Sequence, residues 1–256
     1  MLAKIGGEEE SRIGIPMGIY QYCKYRYKDT PQINLLGMGQ EVNTKYLPNM
    51  LGNSQLEDLE TGFISIGMRL IRTNNLLVEY CDSWERIHRL TDPMAIALIQ
   101  KDYQTSEFLQ EEIIYHVKIA CDDMISLCYI KEYRAAHSGQ TSQIIDVNSV
   151  GGYLEKMEND KPDPNMPASF YKVFTGERCF LDELNDLANA CKHSVLNSLL
   201  ANRVGTEEPY IVVTSMPHGK LAASKDCGMA VKHLAEGVSR VYRDYFDYFG
   251  RQEEAG

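Results

Sequence analysis

The chain has 256 residues, 44% of them apolar, and a formal net charge of −10. That length and apolar share support a sizeable core. The acidity argues against broad nucleic-acid or membrane-surface binding, because phosphates and anionic lipids repel an acidic protein.

Residues 1–53 read as an irregular N-terminal arm. Within it Tyr20, Tyr22, Tyr25 and Tyr27 alternate with Lys24, Arg26 and Lys28. Aromatics between cations can stack bases and hold phosphates. In so acidic a chain the favoured reading is an arm packed on the bundle, its cations snorkelling to water. Gly37-Met-Gly39 lacks the third Gly and the βαβ surroundings of a dinucleotide loop. Ser54-x-x-Glu57 is a capping box, and the helix it opens is predicted to reach about Leu90. Leu56, Leu59, Phe63, Ile66, Leu70, Leu77 and Cys81 mark its inner side, and Thr73-Asn-Asn75 is a candidate kink.

Asp92-Pro93 is an N-cap and first-turn pair for a second helix. That helix either stops near Gln104 or runs on to His137; Leu109, Ile113, Val117, Ala120, Met124, Leu127 and Ile130 recur at helical spacing, and Ser138-Gly139 ends that stretch. Glu85-x-x-His88 matches half of a di-iron bundle motif. The second half is missing, and Glu112 and His116 are four apart, so neither a metal nor a cofactor is expected. Val147 to Asn159 is a short helix weakened by Gly151-Gly152, and a proline-rich loop, Lys161 to Pro167, follows. Beyond the helix centred on Asp182 to His193, Tyr210 to Thr214 is rich in β-formers. Met216-Pro-His-Gly219 is a turn, with His218 at its tip, and Lys220 to Ser224 is the expected return strand. This hairpin near 210–224 is marginal alone and must lie on helices.

Met229 to Phe249 is an amphipathic helix with Val231, Leu234, Val238, Val241, Tyr242, Tyr245 and Phe249 inward. Its aromatic end can be buried in the core or in a homodimer interface. The fold class is therefore mainly all-α. A long-helix bundle, residues 54–250 of a single helical domain 1–256, carries one small β-hairpin before the last helix.

The seven cysteines, Cys23, Cys81, Cys121, Cys128, Cys179, Cys191 and Cys227, contain no Cys-x-x-Cys pair. Reduced thiols in a cytoplasmic protein are expected. No run approaches the ~18 apolar residues of a membrane helix. The N-terminus, one Lys followed by Glu8 to Glu10, lacks the pattern of a signal peptide.

The central helix, from Glu177 to about Val204, carries the candidate site. Leu181, Leu184, Ala188, Cys191, Val195 and Leu199 form an apolar stripe, with Asn185, Asn189, Lys192 and His193 beside it. Asn and His form helices less well than Glu, Lys or Gln, so their presence on one stripe suggests a hydrogen-bonded site at a helix interface. One reading is a buried network of Asn185, Asn189 and His193 that fixes helix register in a non-catalytic module, with Asn185 and Asn189 the candidate ligand-binding residues. The other makes Lys192 and His193 catalytic, a cation and a titratable base positioned by the two amides.

Asn185-x-x-x-Asn189-x-x-Lys192-His193, late in a helix and followed by a Pro-led hairpin and a last amphipathic helix, resembles all-helical bacterial domains related to the HEPN superfamily. The resemblance covers roughly residues 177–250. It implies a helical fold and, in some members, RNase or toxin-partner activity. Lys192 would then stabilise developing phosphate charge while His193 moves a proton. The superfamily's nuclease motif, Arg followed by four to six residues and His, has no counterpart at the expected place. Arg178 is too far from His193, and Arg134 too close to His137. Two functions follow: a non-catalytic helical module binding a macromolecular partner or small ligand, and a HEPN-like enzyme acting on RNA or a nucleotide.

Overall fold

A computed structural model describes residues 57–88, 100–137, 146–158, 166–193, 208–215 and 225–250. The expected arm at 1–53, the Asp92-Pro93 cap, Ser138-Gly139, most of the proline-rich loop and the turn bearing His218 lie outside the described residues. The described elements are α1 (Glu57–His88), α2 (Gln100–Ala136), α3 (Val150–Glu158), α4 (Ala168–Lys172), a 3-10 turn (Thr175–Glu177), α5 (Arg178–His193), β1 (Tyr210–Ser215), β2 (Lys225–Ala230) and α6 (Val231–Gly250). The chain is thus mainly all-α, with a two-stranded antiparallel hairpin before the last helix.

Helices α1 and α2 pack along their length as the frame of the bundle. Their predicted stripes are the ones buried: Ile66, Leu70, Leu77 and Cys81 on α1, and Leu109, Ile113, Val117, Ala120, Met124 and Leu127 on α2. Cys121 and Cys128, seven apart, are fully enclosed. Thr73-Asn-Asn75 does not end α1. The Thr73 hydroxyl donates to the Arg69 carbonyl at 2.8 Å, a bond that a β-hydroxyl residue can make without leaving the helix.

Two glycines at the start of α3 each cost about 1 kcal/mol against Ala in a helix interior. Two caps offset that cost. Asp122 Oδ1 on α2 accepts the Val150 amide at 2.7 Å, and Ser149 Oγ accepts the Gly152 amide at 3.1 Å. Asp122 also holds Lys118 Nζ at 2.6 Å.

The short helix α4 has no counterpart in the sequence reading. It brings Phe170 edge-on to Tyr129 and Tyr153, with ring centres 5.6 and 5.8 Å away, while Phe174 meets Tyr153 at 6.0 Å. Edge-to-face pairs of this kind each contribute about 0.5–1.5 kcal/mol beyond the area buried. Glu132, 6% exposed, closes this end of the bundle. It accepts hydrogen bonds from Ser169 Oγ at 2.9 Å and from the Tyr248 hydroxyl, joining α2, α4 and α6.

The hairpin corrects the sequence expectation. The strand that pairs with Tyr210–Ser215 is Lys225–Ala230, and the last helix begins at Val231 rather than Met229; the expected strand at Lys220–Ser224 lies outside the described residues. Register explains the shift, since Tyr210 pairs with Ala230 and Ser215 with Lys225. Lys, Asp, Gly and Ala are poor strand formers, so β2 is imposed by its partner Tyr-Ile-Val-Val and not by its own propensity. Gly228 belongs to that arrangement. A Cβ there would lie 2.4 Å from the Tyr210 ring and 3.0 Å from the Ile211 carbonyl oxygen.

Side chains on the frame anchor the hairpin's other polar groups. Gln110 Oε1 accepts the Val212 amide at 3.1 Å, and the Tyr80 hydroxyl donates to the Tyr210 carbonyl at 2.8 Å. Helix α6 then buries Val231, Leu234, Val238, Val241 and Tyr245. Its aromatic end joins the core, with Tyr242, Phe246 and Tyr248 packed half-buried against it.

Candidate functional site

Helix α5 holds the four sequence-predicted site residues in order between its middle and its end. Phe180, Leu181, Leu184, Leu187 and Ala190 are buried, so the core side of the helix is fixed. Asn185 is half-buried at the seam with α3, its Oδ1 3.4 Å from where a Gly151 Cβ would stand. Gly151 therefore allows the close approach of α3 to this amide. Asn189 and Lys192 are exposed. His193 is the last residue of α5, and its side chain lies outside the described residues. Asn185 thus meets a neighbouring helix, whereas Asn189 and Lys192 point outward. Cys191, on the same helix, is half-buried; burial, and then the nearby Glu111 carboxylate, push its thiol up to about 11. At neutral pH it stays protonated and is a poor nucleophile.

A second constellation sits on the outer face of the α1–α2 pair. Arg72 Nη2 donates to Glu112 Oε2 at 2.9 Å across the two helices. One turn along, Arg69 Nε lies 3.4 Å from Asp123 Oδ2, close enough for attraction but without a hydrogen bond. Burial raises the Asp123 carboxyl above its ordinary value despite that arginine. His116, between the arginines and Glu112, is held below its ordinary value. Burial is the main cause, the Arg69 and Arg72 charges add to it, and Glu112 opposes them. Its Nδ1 is enclosed without a hydrogen bond.

Four large apolar side chains are exposed among the described residues, two within about a turn of Arg72 along α1 and two within about a turn of Glu112 along α2. Met68 (63% exposed) and Ile71 (44%) are on α1, and Phe108 (66%) and Tyr115 (58%) are on α2. Met68 and Ile71 are one turn apart, and Phe108 and Tyr115 two turns apart, so each pair shares one face of its helix. The ion pair runs up the middle with apolar flanks on either side. Such a mixture of Met, aromatic and Arg side chains is enriched where proteins meet proteins.

The sequence reading missed this surface. Its signal was present as apolar residues out of phase with the core stripe: Phe108 beside Leu109, and Tyr115 one residue past Ile114. The cluster holds cations, carboxylates, an imidazole and the phenol of Tyr115, whose ring centre is 5.4 Å from that of His116. Among the described residues, no group of three or more His, Cys, Asp or Glu side chains could hold a metal ion, and no helix is long and apolar enough to cross a membrane. Fold and surface together define a helical bundle with a small hairpin and an exposed amphipathic face on α1 and α2. No family model, curated protein or solved structure matches the chain.

Proposed function

We propose that this chain is a non-catalytic helical module that binds another polypeptide through the outer face of α1 and α2. The observation that carries the reading is the exposure of Met68, Ile71, Phe108 and Tyr115 together around the Arg72–Glu112 pair. Exposed apolar groups gathered on one face, rather than scattered singly, mark interaction sites. Asn185, at the α3 seam, fits the register-fixing role better than a reactive one. Reduced Cys81, Cys121 and Cys128 in the core suit a cytoplasmic setting.

The test uses the tagged full chain as bait, with untagged chain and host extract present. Every retained polypeptide, the chain itself included, is quantified by mass spectrometry. Phe108→Glu is expected to release the retained polypeptides and Lys192→Ala to keep them. Retention that Phe108→Glu leaves unchanged, in protein with native helicity, overturns the reading. RNA cleavage by the purified chain that His193→Ala abolishes would point instead to the HEPN-like enzyme, with Lys192 and His193 at its centre.

A further inference from the structure

Resting on that docking face, we infer that its occupant is a second copy of this chain, paired about a two-fold axis through the Arg72–Glu112 ion pair. The argument is charge complementarity. The α1 side of the face carries Arg69 and Arg72, and the α2 side carries Glu112 and Asp123. A two-fold rotation about the centre lays each α1 over the other copy's α2. Every Arg72 then meets a Glu112 of the other copy, and Met68 and Ile71 meet Phe108 and Tyr115. The face is its own complement, as an isologous interface requires.

Area is consistent with the pairing. Phe108 and Tyr115 alone leave on the order of 200 Å² of ring surface in water. The flanking Met68, Ile71, Arg72 and Glu112 extend the patch toward the ~800 Å² per partner of a standard interface. The last helix offers less, because its aromatic end is already spent on the core.

Sedimentation of the full chain tests the pairing. The wild-type chain is expected to sediment as a concentration-dependent dimer, and Phe108→Glu as a monomer. Arg72→Glu and Glu112→Arg should each weaken self-association at least about tenfold, the effect of one lost charge-pair equivalent of 1.4 kcal/mol. Mixing these two swapped chains in equal amounts should restore the dimer, because every crossed pair is then again opposite in sign. Circular dichroism checks that each variant keeps its helicity. If the swaps unfold, Arg72→Gln and Glu112→Gln give the same loss without reversed charge.

A wild-type monomer overturns the inference, whether the face is covered by residues 1–56 of the same chain or by a different polypeptide. So does a dimer that neither swap weakens, or a mixture of folded swaps that stays monomeric. A monomer that still retains another polypeptide through Phe108 leaves the docking reading standing and removes only the second copy.

Discussion

Gly237→Ala is the sharpest probe of how α5 meets α6. A Cβ at this helical glycine would lie 2.2 Å from Phe180 Cδ2 and 2.3 Å from Cε2, far inside contact distance. Phe180 is 2% exposed, and its ring stands edge-on to His233 with centres 5.9 Å apart, so it has little room to turn. Replacing Gly by Ala inside a helix gains about 1 kcal/mol of propensity. Overpacking a filled core costs about 1–3 kcal/mol, and the depth of this clash places it in the upper half of that range. The net expectation is a loss of about 1–2 kcal/mol. At about 2–4 °C per kcal/mol for a chain of this size, Tm should fall by roughly 2–8 °C. Calorimetry of the wild type, Gly237→Ala, Phe180→Leu and the double variant measures the coupling directly. In the Phe180→Leu background the same alanine should be neutral or stabilising. A higher Tm for Gly237→Ala in the wild-type background would refute the close packing of these two helices.

Other consequences are as open to measurement. Tyr248→Phe removes one of two donors to the nearly buried Glu132 and should cost about 1.5–3 kcal/mol in urea unfolding, as bonds to charged groups do; Glu132→Gln should cost less. Asp122→Ala uncaps α3 and should cost about 0.5–2 kcal/mol, with hydrogen exchange fastest at the Val150 amide. His233→Gln breaks a pair that is 44% and 49% exposed, so urea midpoints should move by less than about 1 kcal/mol equivalent.

His116 gives a pH signature. Its folded value lies below the ordinary 6.5, so in the window between the two the unfolded chain binds a proton that the folded chain does not. Stability is full above that window and falls as the pH is lowered through it. The stability difference between wild type and His116→Gln should therefore change steadily from neutral to mildly acidic urea titrations. A difference that stays constant would refute the assignment.

The long-range frame was legible because its signals were periodic. The stripes through Ile66–Cys81 and Leu109–Leu127 repeat over many turns, and no competing pattern opposes them. The second strand was not legible, because Lys225-Asp-Cys-Gly-Met-Ala has no strand pattern of its own; the pairing with Tyr210–Ser215 decides it. Helix α4 escaped for a related reason. Five residues are too few for a period, and Phe170 is fixed by rings that come from α2 and α3. The stripe at Asn185, Asn189 and Lys192 was seen as a stripe, yet its depth depends on where α3 lands. The α1–α2 face went unread because an exposed Phe108 beside a buried Leu109 looks, in one dimension, like more core.

The join at Ala230–Val231 has a consequence for how this chain can change. Strand β2 passes into α6 without a connecting residue, and the Val231 amide donates to the Pro209 carbonyl at 3.0 Å across the base of the hairpin. One residue inserted at that point would swing every later side chain about 100° around the helix axis. Leu234, Val238, Val241 and Tyr245 would leave the core together. Length variants should therefore be poorly tolerated at 230–231.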